Sequence, residues 1–438
     1  MQSSNRTVNV GLIGLGTVGG GVFRLIQSHA DGYRKNRGID LRVARACGLD
    51  EERARELGVT AEQFTTDWRE VASDPSIDIV VEVIGGEHPA TEIFLESFAH
   101  GKHVVSANKA LLGRHMDELA GAAHEAGVQL RCEASCGGGI PIVDTLERDL
   151  SGNTVLAIAG IVNGTTNYIL SRMANEGLGY EEVLADAQRL GYAEADPTAD
   201  VDGFDAASKI AILSSIGFAS RITTDDVYMQ GIRKISAEDI ESARELGYVI
   251  KMLAIGRRTD DGVDIRVHPA MIPANHPLAG VSGAMNAVYV VGDAVGETMF
   301  YGAGAGAFPT ASAVVGDVLA LAENLAAGVA PLPEPAPFAR VLPIRDMVDL
   351  ETRYYVRLLL SGSGDAAAIV KALDDCGIVV SDSMARDDGS LVLITAACRE
   401  ADMADALVAL IACDAVHNVE NAIRIEDIAA WSDGVEAN

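Results

Sequence analysis

Apolar and polar positions alternate in blocks along the first third of the chain. Short β-branched runs at residues 8–13, 41–49, 77–84, 102–106 and 128–132 read as strands, and residues 53–57, 90–99 and 117–126 read as parts of the intervening helices. Strands that alternate with helices over residues 1–135 predict an α/β unit, a Rossmann-type doubly wound parallel sheet with helices on both faces. From 136 to 306 the texture changes. Gly, Asn, Thr and Asp become frequent, helix-like stretches fall at 180–190 and 205–216, and 288–291 reads as a strand. This is the pattern of a second, α+β domain. Residues 310–321 read as a helix again, and the segment 307–328 is expected to return to the first domain.

Pro331, Pro333, Pro335, Pro337 and Pro343 then mark a semi-rigid linker, set at residues 329–350. Beyond it, residues 354–360, 366–376, 378–384, 390–396, 402–412 and 416–425 read strand, helix, strand, strand, helix, strand. That order is ferredoxin-like. The tail, 351–431, looks like a separable domain.

Composition narrows the function. A hydrophobic share of 48% with 22% charged residues belongs to a folded globular chain. The net charge of −29 repels phosphate backbones and anionic headgroups, which argues against nucleic-acid and membrane-surface partners. No apolar run reaches the roughly 18 residues of a membrane span. The opening MQSSNRTVNV has no basic-then-apolar leader, and the six cysteines form no CxxC pair, so reduced thiols in a cytoplasm are expected.

Gly14, Leu15, Gly16, Thr17, Val18 and Gly19 form a GxGxxG run after the first strand and before a helix, the context in which it binds a dinucleotide. The first glycine permits the turn, the second lets backbone approach a pyrophosphate, and the third lets helix and strand pack. Asp50, just after the second strand, would bond a ribose 2′-hydroxyl and repel a 2′-phosphate, favouring NAD over NADP. It could equally cap the next helix, and Arg45 and Arg53 could offer a phosphate contact instead. Ser106-Ala107-Asn108-Lys109 ends a parallel strand, where ligands of such sheets bind, and Lys109 could hold a phosphate or carboxylate. Between Glu194 and Lys209 lie Asp196, Asp200, Asp202 and Asp205. Asp205 and Lys209 fall at i and i+4 on one helix face, a spacing that surface salt bridges share. The acids before them could serve a cationic group such as an amino group. Gly137-Gly138-Gly139 suits close contact with a cofactor ring or with a cation held by carbonyls. Cys136 beside it reads as buried and inert, with a nucleophile as the alternative. The glycine loop 302–306 leads into a helix whose start could face the cofactor. The scattered histidines lack zinc spacing.

With these residues in view, the chain resembles the homoserine dehydrogenase family along nearly its whole length. The family signature stands as Gly191-Tyr192-Ala193-Glu194-Ala195-Asp196-Pro197, then Asp200, Gly203, Asp205 and Lys209, and the stretches 164–168 and 107–109 match as well. The tail resembles an ACT domain, an amino-acid-sensing module. Its first turn, Ser361-Gly362-Ser363-Gly364-Asp365, departs from the Asp-x-Pro-Gly usual there. The resemblance implies hydride transfer between L-homoserine and L-aspartate 4-semialdehyde with NAD(P)H. Lys209 would be the proton donor, with Asp205 beside it. Glu194, Asp200 and Lys109 would bind substrate, Lys109 also touching cofactor, and Gly191 and Gly306 would line the nucleotide. A monovalent cation, sodium in known members, would be held at Glu133, Cys136, Gly138 and Ile140. Threonine inhibition through the tail and a homodimer or homotetramer are implied too. Two rivals remain at this point: an acylating semialdehyde dehydrogenase using Cys136, and a non-catalytic amino-acid and nucleotide sensor.

Overall fold

The computed structural model describes residues 6–328, 341–362, 366–386, 388–428 and 431. Strands β1 (Arg6–Ile13), β2 (Ile39–Cys47), β3 (Phe64–Thr65), β4 (Ile79–Glu82), β5 (His103–Ser106) and β6 (Leu130–Arg131) form one parallel sheet in the order β3-β2-β1-β4-β5-β6. These strands are apolar on both faces because helices cover both. On one face, Val8, Val10 and Leu12 pack with Val22, Phe23 and Ile26 of helix Thr17–Arg37 and with Val314, Val318 and Leu321 of helix Ala307–Ala326. On the other, Val80 and Val104 meet Ile93 and Phe94 of helix Ala90–Ala99 and Leu111 of helix Lys109–Ala126. Strand order reverses between β1 and β4, which opens a crevice beyond their carboxyl ends.

The second sheet has eleven strands. Its strands are β7 (Val155–Ile161), β8 (Tyr228–Met229), β9 (Tyr248–Thr259), β10 (Gly262–Pro273), β11 (Met285–Gly292), β12 (Gly296–Ala303), β13 (Glu351–Leu360), β14 (Val380–Ala385), β15 (Ser390–Thr395), β16 (Cys398–Arg399) and β17 (Val416–Ile425). The main path runs β12-β11-β7-β9-β10-β17-β13-β15-β14, with β8 on β10 and β16 on β13. Helix Phe204–Phe218 lies on this sheet with eleven of its fifteen residues buried. The approach is close: a Cβ on Gly256 of β9 would sit 2.2 Å from Ser214 Oγ.

The tail strands follow the order β17-β13-β15-β14, with helices Ala366–Asp374 and Glu400–Ile411 on one face. The expectation that the tail is separable does not hold. Met271 and Ala270 of β10 pair with Ile425 and Arg424 of β17, so the tail sheet continues the catalytic one. Its second face is apolar as well: Tyr355, Ile394, Ile423 and Ile425 belong to the same core as helix Phe204–Phe218. Charge is buried at the seam. Arg357 Nε donates to Asp239 Oδ1 at 2.7 Å, and Arg266 Nη2 to Glu426 Oε2 at 3.0 Å. The linker expectation falls partly on residues 329–340, outside the described residues. The stretch after them is tied down: Pro343 O accepts from Val263 N at 2.9 Å, and Arg345 N donates back to Val263 O at 3.0 Å. All six cysteines are unpaired. Among the described residues, no helix is long and apolar enough to cross a membrane.

Candidate active site

The glycine fingerprint sits at the carboxyl end of β1. Gly14 has φ +110°, and a Cβ there would meet Val83 O at 2.8 Å, so the turn excludes a side chain. A Cβ on Gly19 would lie 1.8 Å from Gly14 O, which fixes the first turn of the helix against the strand end. A Cβ on Gly16 would meet nothing within 4 Å. Space over Gly16 is thus open to a ligand, next to the free N–H groups at the start of helix Thr17–Arg37. Gly306 caps helix Ala307–Ala326, whose start packs on Gly21, since a Cβ on Gly21 would meet Ala307 O at 2.7 Å.

Asp50 caps helix Glu51–Leu57, accepting from Arg53 N at 2.9 Å, and is exposed. Capping occupies Oδ1; no hydrogen bond to its Oδ2 occurs among the described residues. Arg45 is engaged with Glu70, and Arg53 with Glu56.

At the end of β5, sequence local to the strand aims Lys109. Ser106 Oγ donates to Glu82 Oε2 at 2.7 Å and accepts from Asn108 N at 3.0 Å. Asn108 caps helix Lys109–Ala126 through Leu111 N and donates to Gly86 O at 2.7 Å. Glu82 is fully buried, also accepting from Ile84 N and Gly85 N, and burial pushes its carboxyl above the usual range despite those donors.

Lys109, so placed, makes an ion pair with Asp205 Oδ1. The other oxygen, Asp205 Oδ2, accepts from Lys209 Nζ at 2.7 Å and from Asn163 Nδ2 at 2.8 Å. Lys209 Nζ also donates to Val162 O at 2.6 Å. Both Asp205 and Lys209 side chains are buried. Burial alone would raise the Asp205 carboxyl, but the Lys209 and Lys109 ammonium groups outweigh it and hold it well below the usual carboxylate range. An ammonium has three N–H groups, and two of Lys209's are committed, leaving one for a ligand oxygen. Asp200 joins through Asn163, whose Nδ2 donates to Asp200 Oδ1 at 2.7 Å.

The structure brings Lys209, Asp205, Lys109 and Asp200 together. It does not link Glu194 to them by any hydrogen bond or ion pair among the described residues. Glu194 lies exposed on the loop after Gly191 (φ +79°), its carbonyl held by Gln188 Nε2 at 3.1 Å. That loop is pinned by Tyr192, which stacks on Tyr168 at 4.4 Å and accepts through its carbonyl from Thr165 Oγ1.

Cys136 is fully buried, and burial pushes its thiol up to about 12. The Cys136 nucleophile reading therefore fails: the thiol is protonated and unreachable, with Lys209 O at 3.6 Å from its sulfur. The Glu133 carboxylate accepts from Ile142 N, Val143 N and Asp144 N at 2.7–3.0 Å, so its side chain is occupied by backbone. Among the described residues, no backbone N–H of a turn or loop donates to the carbonyl oxygens of Cys136, Gly138 or Ile140. Free carbonyls on one turn suit a hard monovalent cation. No His, Cys, Asp and Glu cluster for a metal occurs among the described residues.

Asn163, Val162 and Glu82 were not among the sequence candidates. Asn163 had a signal, an Asn three residues before Thr166 at a helix start. So did Glu82, a charge closing an apolar strand. Val162 acts through its carbonyl and had none.

A dinucleotide crevice facing a lysine–carboxylate–lysine cluster, Asp205 and Lys209 buried and Lys109 half-exposed, defines an α/β oxidoreductase of nicotinamide dinucleotides. Residues 14–133 match the family model "Homoserine dehydrogenase, NAD binding domain", and residues 141–319 match "Homoserine dehydrogenase". The chain is similar to a homoserine dehydrogenase of Synechocystis sp., 43% identical over 96% of this chain and 99% of that one. It is also similar to one of Mycobacterium tuberculosis, 44% identical over 97% and 99%. The crystal structure of a homoserine dehydrogenase from Thiobacillus denitrificans superposes with a TM-score of 0.90, at 42% identity over 96% of this chain and 99% of that one. The chain belongs to the homoserine dehydrogenase family.

Proposed function

We propose that this site interconverts L-aspartate 4-semialdehyde and L-homoserine, with Lys209 as proton donor. The observation that carries the proposal is Asp205 shared between Lys209 and Lys109 at the mouth of the dinucleotide crevice. Bound over the glycine fingerprint, the nicotinamide dinucleotide supplies or takes up the hydride. Lys209 points its remaining N–H at the substrate oxygen. It stabilises the negative charge that grows there and delivers the proton from Nζ. Asp205 holds Lys209 charged and orients it. Lys109 balances Asp205 and reaches substrate or cofactor, and Asp200 supports the substrate side. Glu194, on its exposed loop, receives the substrate's amino group and so fixes the reacting geometry.

Finer features belong to the same reading. The free Oδ2 of Asp50 supports a preference for NAD over NADP. Gly191 and Gly306 line the nucleotide. The free carbonyls of Cys136, Gly138 and Ile140, with that of Glu133, would hold a monovalent cation such as sodium and stiffen the turn beneath Lys209. The tail's β-α-β-β-α-β order supports an ACT-type regulatory domain that reads threonine. Of its first turn, 361–365, residues 363–365 lie outside the described residues. The assembly is a homodimer or homotetramer.

The test is steady-state oxidation of L-homoserine with NAD and NADP side by side, with and without threonine, in wild type and Lys209→Ala. Wild type should turn over, and Lys209→Ala should lose roughly 10²–10⁴-fold in kcat, the usual size of a lost general acid. A Lys209→Ala enzyme with near-normal kcat would remove Lys209 from the proton transfer. Wild-type protein that binds NAD and threonine without turnover would favour a sensor.

A further inference from the structure

We propose that Asn163 is a positioning residue for this reaction, its side-chain amide clamping Asp200 to Asp205 and selecting the Asp205 oxygen that Lys209 shares. The inference rests on the assignment of Lys209 and Asp205 above.

Val162 and Asn163 join β7 to helix Gly164–Glu176, and Asn163, the helix cap, is buried. Its Nδ2 donates to Asp200 Oδ1 at 2.7 Å and to Asp205 Oδ2 at 2.8 Å. Its Oδ1 accepts from Thr166 N at 2.8 Å and from Thr166 Oγ1 at 3.0 Å. An amide offers two N–H donors and two acceptor lone pairs, and all four are used. The orientation is therefore forced. A flipped amide would turn its oxygen on two carboxylates and its NH₂ on the Thr166 N–H.

Two carboxylates five residues apart repel each other, and the amide set between them donates to both. The preceding residue completes the grip, because Val162 O takes the second N–H of Lys209. One dipeptide, Val162-Asn163, thus holds the ammonium with its carbonyl and the carboxylate partner with its side chain. Rotation of Asp205 would break its bond to Asn163 and its bond to Lys209 together. Asn163 touches neither hydride nor proton; it acts through Asp205.

Asn163 also caps its helix, so the test must separate capping from clamping. Asn163→Ser keeps a capping oxygen and loses both donated bonds. Asn163→Asp keeps the size and the capping acceptor but sets a third carboxylate against the other two. Each would be assayed for kcat and KM with homoserine across pH, for dinucleotide affinity by fluorescence titration, and for Tm. Asn163→Ser should lose about 10–100-fold in kcat, the scale of one hydrogen bond to a charged group. The loss should fall mainly on kcat, with KM for homoserine within a few-fold, while dinucleotide affinity and Tm stay near wild type. Asn163→Asp should lose more. Thr166→Val, which frees only one bond to Oδ1, should lose less than Asn163→Ser. A wild-type kcat in Asn163→Ser would overturn the proposal. So would a kcat loss in both Asn163 variants that follows Tm and vanishes on cooling. If Asn163→Ser does not fold, Asn163→Asp decides alone. Lys209→Ala run in parallel separates the two ideas: an inactive Lys209→Ala beside a normal Asn163→Ser sinks the clamp only, whereas an active Lys209→Ala sinks the assignment beneath it.

Discussion

Replacing Glu426 with Gln tests whether the tail is fused to the catalytic core. The Glu426 carboxylate faces Arg266, with contacts at 3.0, 3.1 and 3.3 Å, and both side chains are almost fully buried. His268 Nε2 lies 3.3 Å from the same carboxylate, and the next acid, Asp264, is 3.8 Å from Arg266 Nη1. Glu426→Gln therefore strands a guanidinium in the core, which costs about 3–5 kcal/mol. Proton linkage gives a second figure. Burial raises the Glu426 carboxyl, but Arg266 outweighs it and brings it from 4.5 down to about 2. A depressed carboxyl stabilises the fold above its unfolded value and loses that contribution as pH falls through its folded one. At about 1.4 kcal/mol per pKa unit, the contribution is about 3 kcal/mol, present above pH 5 and gone near pH 2. The assay is denaturant unfolding from pH 7 down to pH 3. It can be followed by fluorescence in a Trp68→Phe background, because the chain has two tryptophans and the other, Trp431, sits against Arg257 of β9. Glu426→Gln should lower stability by about 3 kcal/mol at pH 7, and the gap to wild type should close as pH falls towards 3. Arg266→Met with Glu426→Leu should recover most of the loss, because no charge is then left unpaired. A loss under about 1 kcal/mol, or a gap that does not change with pH, would refute the reasoning.

Two substitutions test the readings of single residues. Cys136→Ser should keep kcat within a few-fold of wild type, because the protonated, enclosed thiol does no chemistry; a loss of a hundredfold or more without unfolding would return Cys136 to the mechanism. Asp50→Ala should cost about 1 kcal/mol through the lost helix cap. It should also raise kcat/KM with NADP relative to NAD, and an unchanged cofactor ratio would make Asp50 a cap and nothing more.

The first domain was legible because its signals are local. A GxGxxG run after a strand and apolar runs spaced by helices announce a doubly wound sheet and five of its six strands; the two-residue β3 (Phe64–Thr65) offers no such run. The pair Asp205 and Lys209 was legible from i, i+4 spacing and from the family signature. What connects them to Lys109 was not, because 96 residues of chain separate Lys109 from Asp205 and the contact exists only where the two domains meet. β9 and β10 escaped notice for a different reason. In β10 nearly every position is buried, Asp264, Arg266 and His268 among them, so the chain shows neither alternation nor an apolar run. Those buried charges await partners from the tail, and that same dependence hid the fusion of the two sheets. Read alone, the tail's sheet has one apolar face covered by its own helices; the second face declares itself only when Asp239 and Arg266 arrive to meet Arg357 and Glu426.

This seam limits how the tail can act on the site. To swing free, the tail would have to part Arg266 from Glu426 and Arg357 from Asp239 and bare Tyr355, Ile394, Ile423 and Ile425 to water, at about 1.5–3 kcal/mol for each apolar side chain exposed. Coupling between ligand sites is typically about 1–3 kcal/mol. An effector bound to the tail cannot open the seam on that scale; it can only shift side chains along an intact one. A continuous set of contacts is available for such a shift. Arg424 of β17 is held by Glu400 and donates to Gln230 Oε1 at 2.7 Å. Two residues on, Ile232 N donates to Val201 O at 2.9 Å, and Arg233 holds Asp202 at 2.6 Å. Val201 and Asp202 directly follow Asp200, which shares the Asn163 amide with Asp205. Gly231 permits this close approach, because a Cβ there would lie 2.6 Å from Val201 O. These contacts join Arg424 to Asp200 and, through the Asn163 amide, to Asp205 and Lys209.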